Sequence, residues 1–231
     1  MKNKTLWKQV GAAAIAAAMV MSTVPATPVQ AAGGKTLAVS SQKQLNQALK
    51  TVKGKNAVIT VKAGKNVKIT IPKGTYKVTI RVVGKKAAVV NNGTVKEIVV
   101  NSKGTVAIKN NGTIKKVTVQ NAKSVSFSGK HKKAVPVVVN AEDVSMILAA
   151  PAKITAKKDV NIVLKKGAEK SSITCTKNVQ AQVDNQTKKA ISVKIADGTT
   201  LKVESGESCT ITPKGKKEDT SGEDKTDEKD K

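Results

Sequence analysis

The stretch NNGTVKEIVVN, Asn91 to Asn101, returns nineteen residues later as NNGTIKKVTVQN, Asn110 to Asn121. Asn-Gly between apolar runs is the strongest short-range signal for a β-hairpin turn. Recurrence at a fixed interval points elsewhere, to the corner of a coil that stacks on itself. The two readings give different folds.

Apolar residues at i and i+2 share one face of a strand. One series of such pairs runs Ile59/Val61, Val78/Ile80, Ile98/Val100, Val117/Val119, Val137/Val139, Ile154/Ala156, Ile173/Cys175, Ile191/Val193 and Cys209/Ile211, in steps of 17 to 20 residues. A second runs Val67/Ile69, Ala87/Val89, Val106/Ile108, Val125/Phe127, Val144/Met146, Ile162/Leu164, Ala181/Val183 and Leu201/Val203, in steps of 18 to 20. Hairpins have no need to lock two series to one period. A solenoid does, because each coil lays its inward residues on those of the coil below. The expected fold is all-β, a single-domain parallel β-helix of about nine coils of roughly 19 residues. At ~4.8 Å per coil its length is on the order of 40 Å. NNGT then marks stacked corners, Asn91 over Asn110 and Asn92 over Asn111, whose amides can form a short hydrogen-bonded ladder.

The flanks differ in character. Residues 1–31 combine a basic start (Lys2, Lys4, Lys8), a short apolar run from Val10 to Met21 and the small-x-small end Val29-Gln30-Ala31. This is the three-part pattern of a secretory signal peptide, with an apolar run too short to span a bilayer. Residues 32–56 read as a linker and a capping helix: Leu45, Ala48, Leu49 and Val52 form one helical stripe, with Ser40 or Ser41 as N-cap. Residues 57–212 hold the coils. Residues 213–231, PKGKKEDTSGEDKTDEKDK, carry no apolar side chain and are expected to stay disordered.

From Ala32 to Thr212 there are 33 Lys and Arg against 9 Asp and Glu, a net charge of +24, and Arg81 is the only arginine. Tyr76 and Phe127 are the only aromatics of that segment, so the core must be built from Val, Ile, Ala and Leu. In the series above, Cys175 and Cys209 fall two coils apart, about 9.5 Å. That exceeds the ~7 Å reach of a disulfide, so both are expected to be small buried hydrophobes.

Between the paired residues of the first series stand Thr60, Thr79, Thr118, Thr155, Thr174, Ser192 and Thr210, interrupted by Val99 and Val138. Such a surface hydroxyl column invites comparison with ice-binding solenoids, although β-propensity alone puts Thr at exposed strand positions. Lysines concentrate at corners: Lys85-Lys86, Lys115-Lys116, Lys132-Lys133, Lys157-Lys158, Lys165-Lys166 and Lys188-Lys189. These are the candidate polyanion-binding residues. The carboxylates Glu142, Asp143, Asp159, Asp184 and Asp197 fall on different coils with no two converging, and His131 reads as a surface residue among basic neighbours. No catalytic residues, metal ligands or cofactor site are expected.

In period and pattern the chain resembles the extracellular parallel β-helix surface proteins of Gram-positive bacteria, with a pectate-lyase-like architecture lacking catalytic residues. The resemblance covers the cap helix and the coils, and implies an exported scaffold without naming a ligand. The charge adds a partner class. A rod of net +24 concentrates polyanions such as anionic glycans or cell-wall polymers. Specific nucleic-acid reading is not expected, because stacking aromatics and forked arginines are nearly missing. The expected protein is a non-enzymatic, secreted or cell-surface monomer without a transmembrane segment. The alternatives are a polysaccharide-active enzyme or carbohydrate-binding module, and an ice or crystal-surface binder.

Overall fold

A computed structural model describes residues 35–63, 66–212 and 217–219. The signal-peptide reading, and all of the tail except 217–219, lie outside the described residues. The chain is mostly β, with one helix near its N-terminus and parallel coils stacked into a β-solenoid of about eight turns. Two long ladders run through the stack. The first joins Lys35–Val39, Ala57–Ala63, residues 78–84, residues 98–101, Val117–Asn121, Val135–Val139, Ala152–Ala156, Ser172–Cys175 and Ile191–Lys194, all parallel. The second joins Val67–Ile71, residues 86–91, residues 105–110, Ser124–Gly129, Val144–Ala149, Val160–Leu164 and Ala181–Asn185, also parallel. A short third ladder stacks Thr75-Tyr76 on Thr94-Val95 on Thr113-Ile114.

The interior is the one the composition demands. Ile59, Ile80, Ile98, Val117, Val137, Ile154 and Ile173 are buried along the first ladder, facing Ile69, Val89, Ile108, Phe127, Leu148 and Leu164 of the second. Each Val or Ile fully withdrawn from water contributes about 1.5–3 kcal/mol. Small branched side chains suit this interior because each inward column repeats nearly the same residue from coil to coil.

The register follows the sequence pattern over the middle of the first ladder and the first coils of the second, and slips by two residues elsewhere. Ile98/Val100 through Ile173/Cys175 stack as expected. So do Val67/Ile69 through Val125/Phe127. However, Ile59 stands on Ile80 rather than Val78, and Ile173 on Val193 rather than Ile191. In the second ladder Val125 stands on Met146 rather than Val144, and Ile162 on Val183 rather than Ala181. Each shift is by two, which leaves the same side chains facing inward. The apolar pattern is therefore blind to it, and corner length decides.

The last turn departs from the expected coil. Thr200–Val203 folds back antiparallel on Ile191–Lys194, and Ser208–Ile211 lies antiparallel on Ala181–Asn185. Lys217–Asp219, three residues of the segment expected to be disordered, pairs antiparallel with Ser208–Ile211. The reversal occurs at Asp197-Gly198. Gly198 has φ 92°. The Asp197 carboxylate accepts the Thr199 N–H at 2.8 Å, a contact that holds its pKa below the usual value. Asp-Gly between apolar runs is a hairpin signal in its own right. Cys209 thus faces the core from the second ladder and Cys175 from the first, and no disulfide joins them. The absence of a bridge matches expectation, but the register behind that expectation does not hold.

The N-terminal end is closed differently. The helix Gln42–Thr51 buries Leu45, Ala48 and Leu49, and its N-cap is Ser41, whose Oγ accepts from Gln44 N. The Gln42 side-chain amide accepts the Thr70 N–H at 2.6 Å and donates to the Thr70 carbonyl at 2.8 Å. One side chain thereby supplies the pairing that another strand would give the edge at Val67–Ile71. The stretch read as linker contributes the strand Lys35–Val39.

The corners stack as the repeat implies. Asn91 and Asn110 are fully buried, and Asn91 Nδ2 donates to Asn110 Oδ1 at 2.8 Å. On the exposed side Asn111 Nδ2 donates to Asn92 Oδ1 at 3.0 Å. The inner ladder ends at Gly129, which occupies the next position, and Asn110 Nδ2 finds no acceptor. Asn91→Ala should destabilise the protein by about 1–3 kcal/mol, because it removes a buried amide that donates to Asn110 Oδ1 and to the Gly93 carbonyl and accepts the Gly93 N–H. Asn92→Ala, on the exposed rung, should cost less than about 1 kcal/mol. Urea unfolding midpoints followed by circular dichroism decide, and equal costs would reject the buried ladder as a stabilising element.

Candidate functional site

The strands and corners sort the surface into two edges. Lys85-Lys86 and Lys157-Lys158 lie where the chain turns from the first ladder to the second. Lys115-Lys116, Lys132-Lys133, Lys165-Lys166 and Lys188-Lys189 lie on the return from the second to the first. All twelve lysines are exposed. Among the described residues only Lys116 and Lys158 of these form ion pairs, with Glu97 at 3.3 Å and Glu142 at 2.7 Å. The Lys158 hydrogen bond and charge lower the Glu142 pKa, and Glu142 raises that of Lys158. The return edge also carries Lys73, Lys77, Lys96, Lys130 and Lys170. It is the more continuous cationic strip.

The hydroxyls do not form one column. Thr60 stands on Arg81, and Thr79 lies between Val58 and Glu97. Thr118 sits between Val99 and Val138, is buried, and donates to Glu97 at 2.6 Å. Thr155 and Thr174 do stack on each other. Ser192 stands on Ser172, and Thr210 belongs to the second ladder opposite Gln182. The two-residue shifts that leave the core unchanged scatter the outward residues among neighbours of another kind.

Two acidic residues border one cleft against expectation. Asp143 N donates to the Asp159 carbonyl at 3.0 Å. Both residues line a cleft of about 270 Å³ with Asn161, Gln180, Gln182 and Thr210. Asp159 Oδ1 accepts the Gln180 N–H at 2.8 Å, and no lysine lines the cleft. No group of three His, Cys, Asp or Glu able to hold a metal exists among the described residues. His131 is also not the surface residue its neighbours suggest. It is half-buried, with Nδ1 3.2 Å from the Asn110 carbonyl and Nε2 3.0 Å from the Pro151 carbonyl, and its ring meets Phe127 edge-on at 5.2 Å. It ties the corners of separate coils together.

Net charge conceals an asymmetry. Asp and Glu are missing before Glu97, while 14 Lys and Arg stand between Lys35 and Lys96. Within that acid-free part lies a cavity of about 510 Å³ between the cap helix and the first return corner. Leu49, Pro72 and Tyr76 form its apolar part, and Lys50, Lys53 and Lys73 its cationic part. Sequence reasoning missed it because its two sides come from separate segments. The absence of acids upstream of Glu97 was the available signal.

No protein-family model, curated protein or solved structure matches the chain. The class of protein is therefore set by the fold alone, a β-solenoid. No helix among the described residues is long and apolar enough to cross a membrane.

Burial raises the Cys175 thiol pKa to about 11, and Cys209 is equally buried. Reaction depends on the thiolate and on access. Ellman's reagent at about pH 8 should leave both thiols unmodified in the native protein and titrate both in concentrated guanidinium. Rapid native reaction would show that the closing coil opens.

Proposed function

We propose that the protein is an exported, non-enzymatic β-solenoid that binds anionic cell-wall or extracellular polymers through its lysine-rich surface. The observation that carries this reading is the set of exposed corner lysines, ten of which form no ion pair among the described residues. An array of ammonium groups without internal counterions attracts a polymer of regularly spaced anions and releases that polymer's own counterions. Lysine suits this role because it acts as a mobile point charge without demanding one geometry. The basic–apolar–small pattern of residues 1–31 supports export to where such polymers occur.

Retention on an anionic polysaccharide column should be strong at ~0.05 M salt and lost by several tenths molar, as screening shortens the reach of each charge. Changing Lys132, Lys133, Lys165 and Lys166 together to Gln should move elution to clearly lower salt with the melting temperature unchanged. Elution indifferent to salt would reject the reading.

The cleft at Asp143 and Asp159 supports a second reading, a polysaccharide-active enzyme, since paired carboxylates are the usual acid–base machinery for sugars. Incubation with polyuronates and neutral glycans tests it. Release of new reducing ends, lost in Asp159→Asn, would establish the enzyme and displace the first reading.

A further inference from the structure

The cavity between the cap helix and the first return corner has the chemistry of a ligand site. Tyr76 heads the inward column of the third ladder, above Val95 and Ile114. No strand of that ladder precedes it among the described residues, so its ring remains half-exposed at the end of the core. The ring is held in place. Its hydroxyl donates to the Lys73 carbonyl at 3.2 Å. A Cβ added at Gly74 would stand 2.8 Å from that hydroxyl, and one at Gly93 would stand 3.1 Å from the ring. Two glycines thus make room for a fixed aromatic surface beside Leu49 and Pro72.

Around this surface the charge is of one sign. Lys50 and Lys53 come from the end of the helix and Lys73 from the corner, and no carboxylate lines the cavity. The cavity also lies at the head of the return edge, in line with Lys96, Lys115, Lys116, Lys132 and Lys133. A cationic rim over a rigid aromatic and aliphatic floor suits a ligand with an apolar ring face and an acidic substituent.

We propose that this cavity binds one anionic pyranose, a carboxylated or sulfated sugar unit, with its C–H face on Tyr76 and its acid group among Lys50, Lys53 and Lys73. The proposal rests on the polymer-binding reading and deepens it. The cavity holds one unit of the chain, and the remainder follows the lysines of the return edge. Tyr76 supplies a preference for sugars that lysines alone do not give.

The chain supplies its own reporter, since Tyr76 is its sole tyrosine and Trp7 its sole tryptophan. In full-length protein carrying Trp7→Phe, tyrosine emission reads the cavity directly. Titration with trigalacturonate, a sulfated disaccharide, neutral galactotriose and polyphosphate is the test. At least one of the two anionic sugars should change the emission saturably, and which one does identifies the acid group. Galactotriose and polyphosphate should leave it unchanged. Lys50→Gln and Lys73→Gln should each weaken sugar binding by about tenfold without changing the melting temperature. Tyr76→Phe should retain sugar binding by calorimetry, and Tyr76→Leu, which keeps the core covered, should lose it. The proposal is overturned if neutral sugar or polyphosphate acts as strongly as the anionic sugars, or if the lysine variants bind normally. Silence from both anionic sugars, with salt-dependent column retention intact, removes the cavity and leaves the polymer reading standing. Loss of retention as well removes both.

Discussion

Adjacent coils lie one strand spacing apart, about 4.8 Å, and that spacing has to be kept at the corners as well as along the ladders. Along the ladders, backbone hydrogen bonds and stacked Val and Ile keep it without special provision. At the corners the chain bends and the carbonyls of one coil press on the backbone of the next. Gly112 lies against the Gly93 carbonyl and Gly129 against the Asn110 carbonyl, so closely that a side chain at either would overlap it. The buried Asn91–Asn110 bond ties neighbouring corners together across this gap. The corners therefore carry the most restrictive residue choices of the fold, although they contribute little apolar area.

A stack of this kind has two ends, and each leaves backbone groups in need of partners. The N-terminal end uses a helix, in which the Gln42 amide substitutes for a strand at Thr70. The C-terminal end reverses the chain at Asp197-Gly198, so that antiparallel strands close both ladders. The capping helix covers the second ladder, and its outer flank meets the first return corner to form the cleft that holds Tyr76. Closing the core and shaping the cavity at Tyr76 are consequences of the same short helix.

The first ladder was legible through its middle because its signal is redundant: alternation and period agree from Ile98 to Cys175, and Asn-Gly marks two of the corners. The capping helix was legible as well, from its apolar stripe and its serine N-cap, but the singular contact that seals the edge, Gln42 with Thr70, was not. The last turn illustrates the difference. Asp197-Gly198 carries the hairpin signal, yet Leu201/Val203 and Cys209/Ile211 also fit the solenoid period, so two valid patterns competed over the same residues. The surface was legible only in composition. The corner lysines are exposed where the sequence places corners. The meeting of Asp143 with Asp159, and of Lys50 with Lys73 and Tyr76, depends on corner lengths that apolar alternation does not fix.

Coil length varies more than the regular interior suggests. Met146 stands over Ile162, a coil of 16 residues, and Ile162 over Val183, a coil of 21. The ladders continue unbroken through both, so the surplus is taken up wholly in the bends. Insertions and deletions there are absorbed without reassigning a single core position, and the bends are also where the lysines sit. The scaffold and its outward chemistry are thus written in separate residues, and a lineage of such chains is free to revise its surface charges while inheriting its core intact.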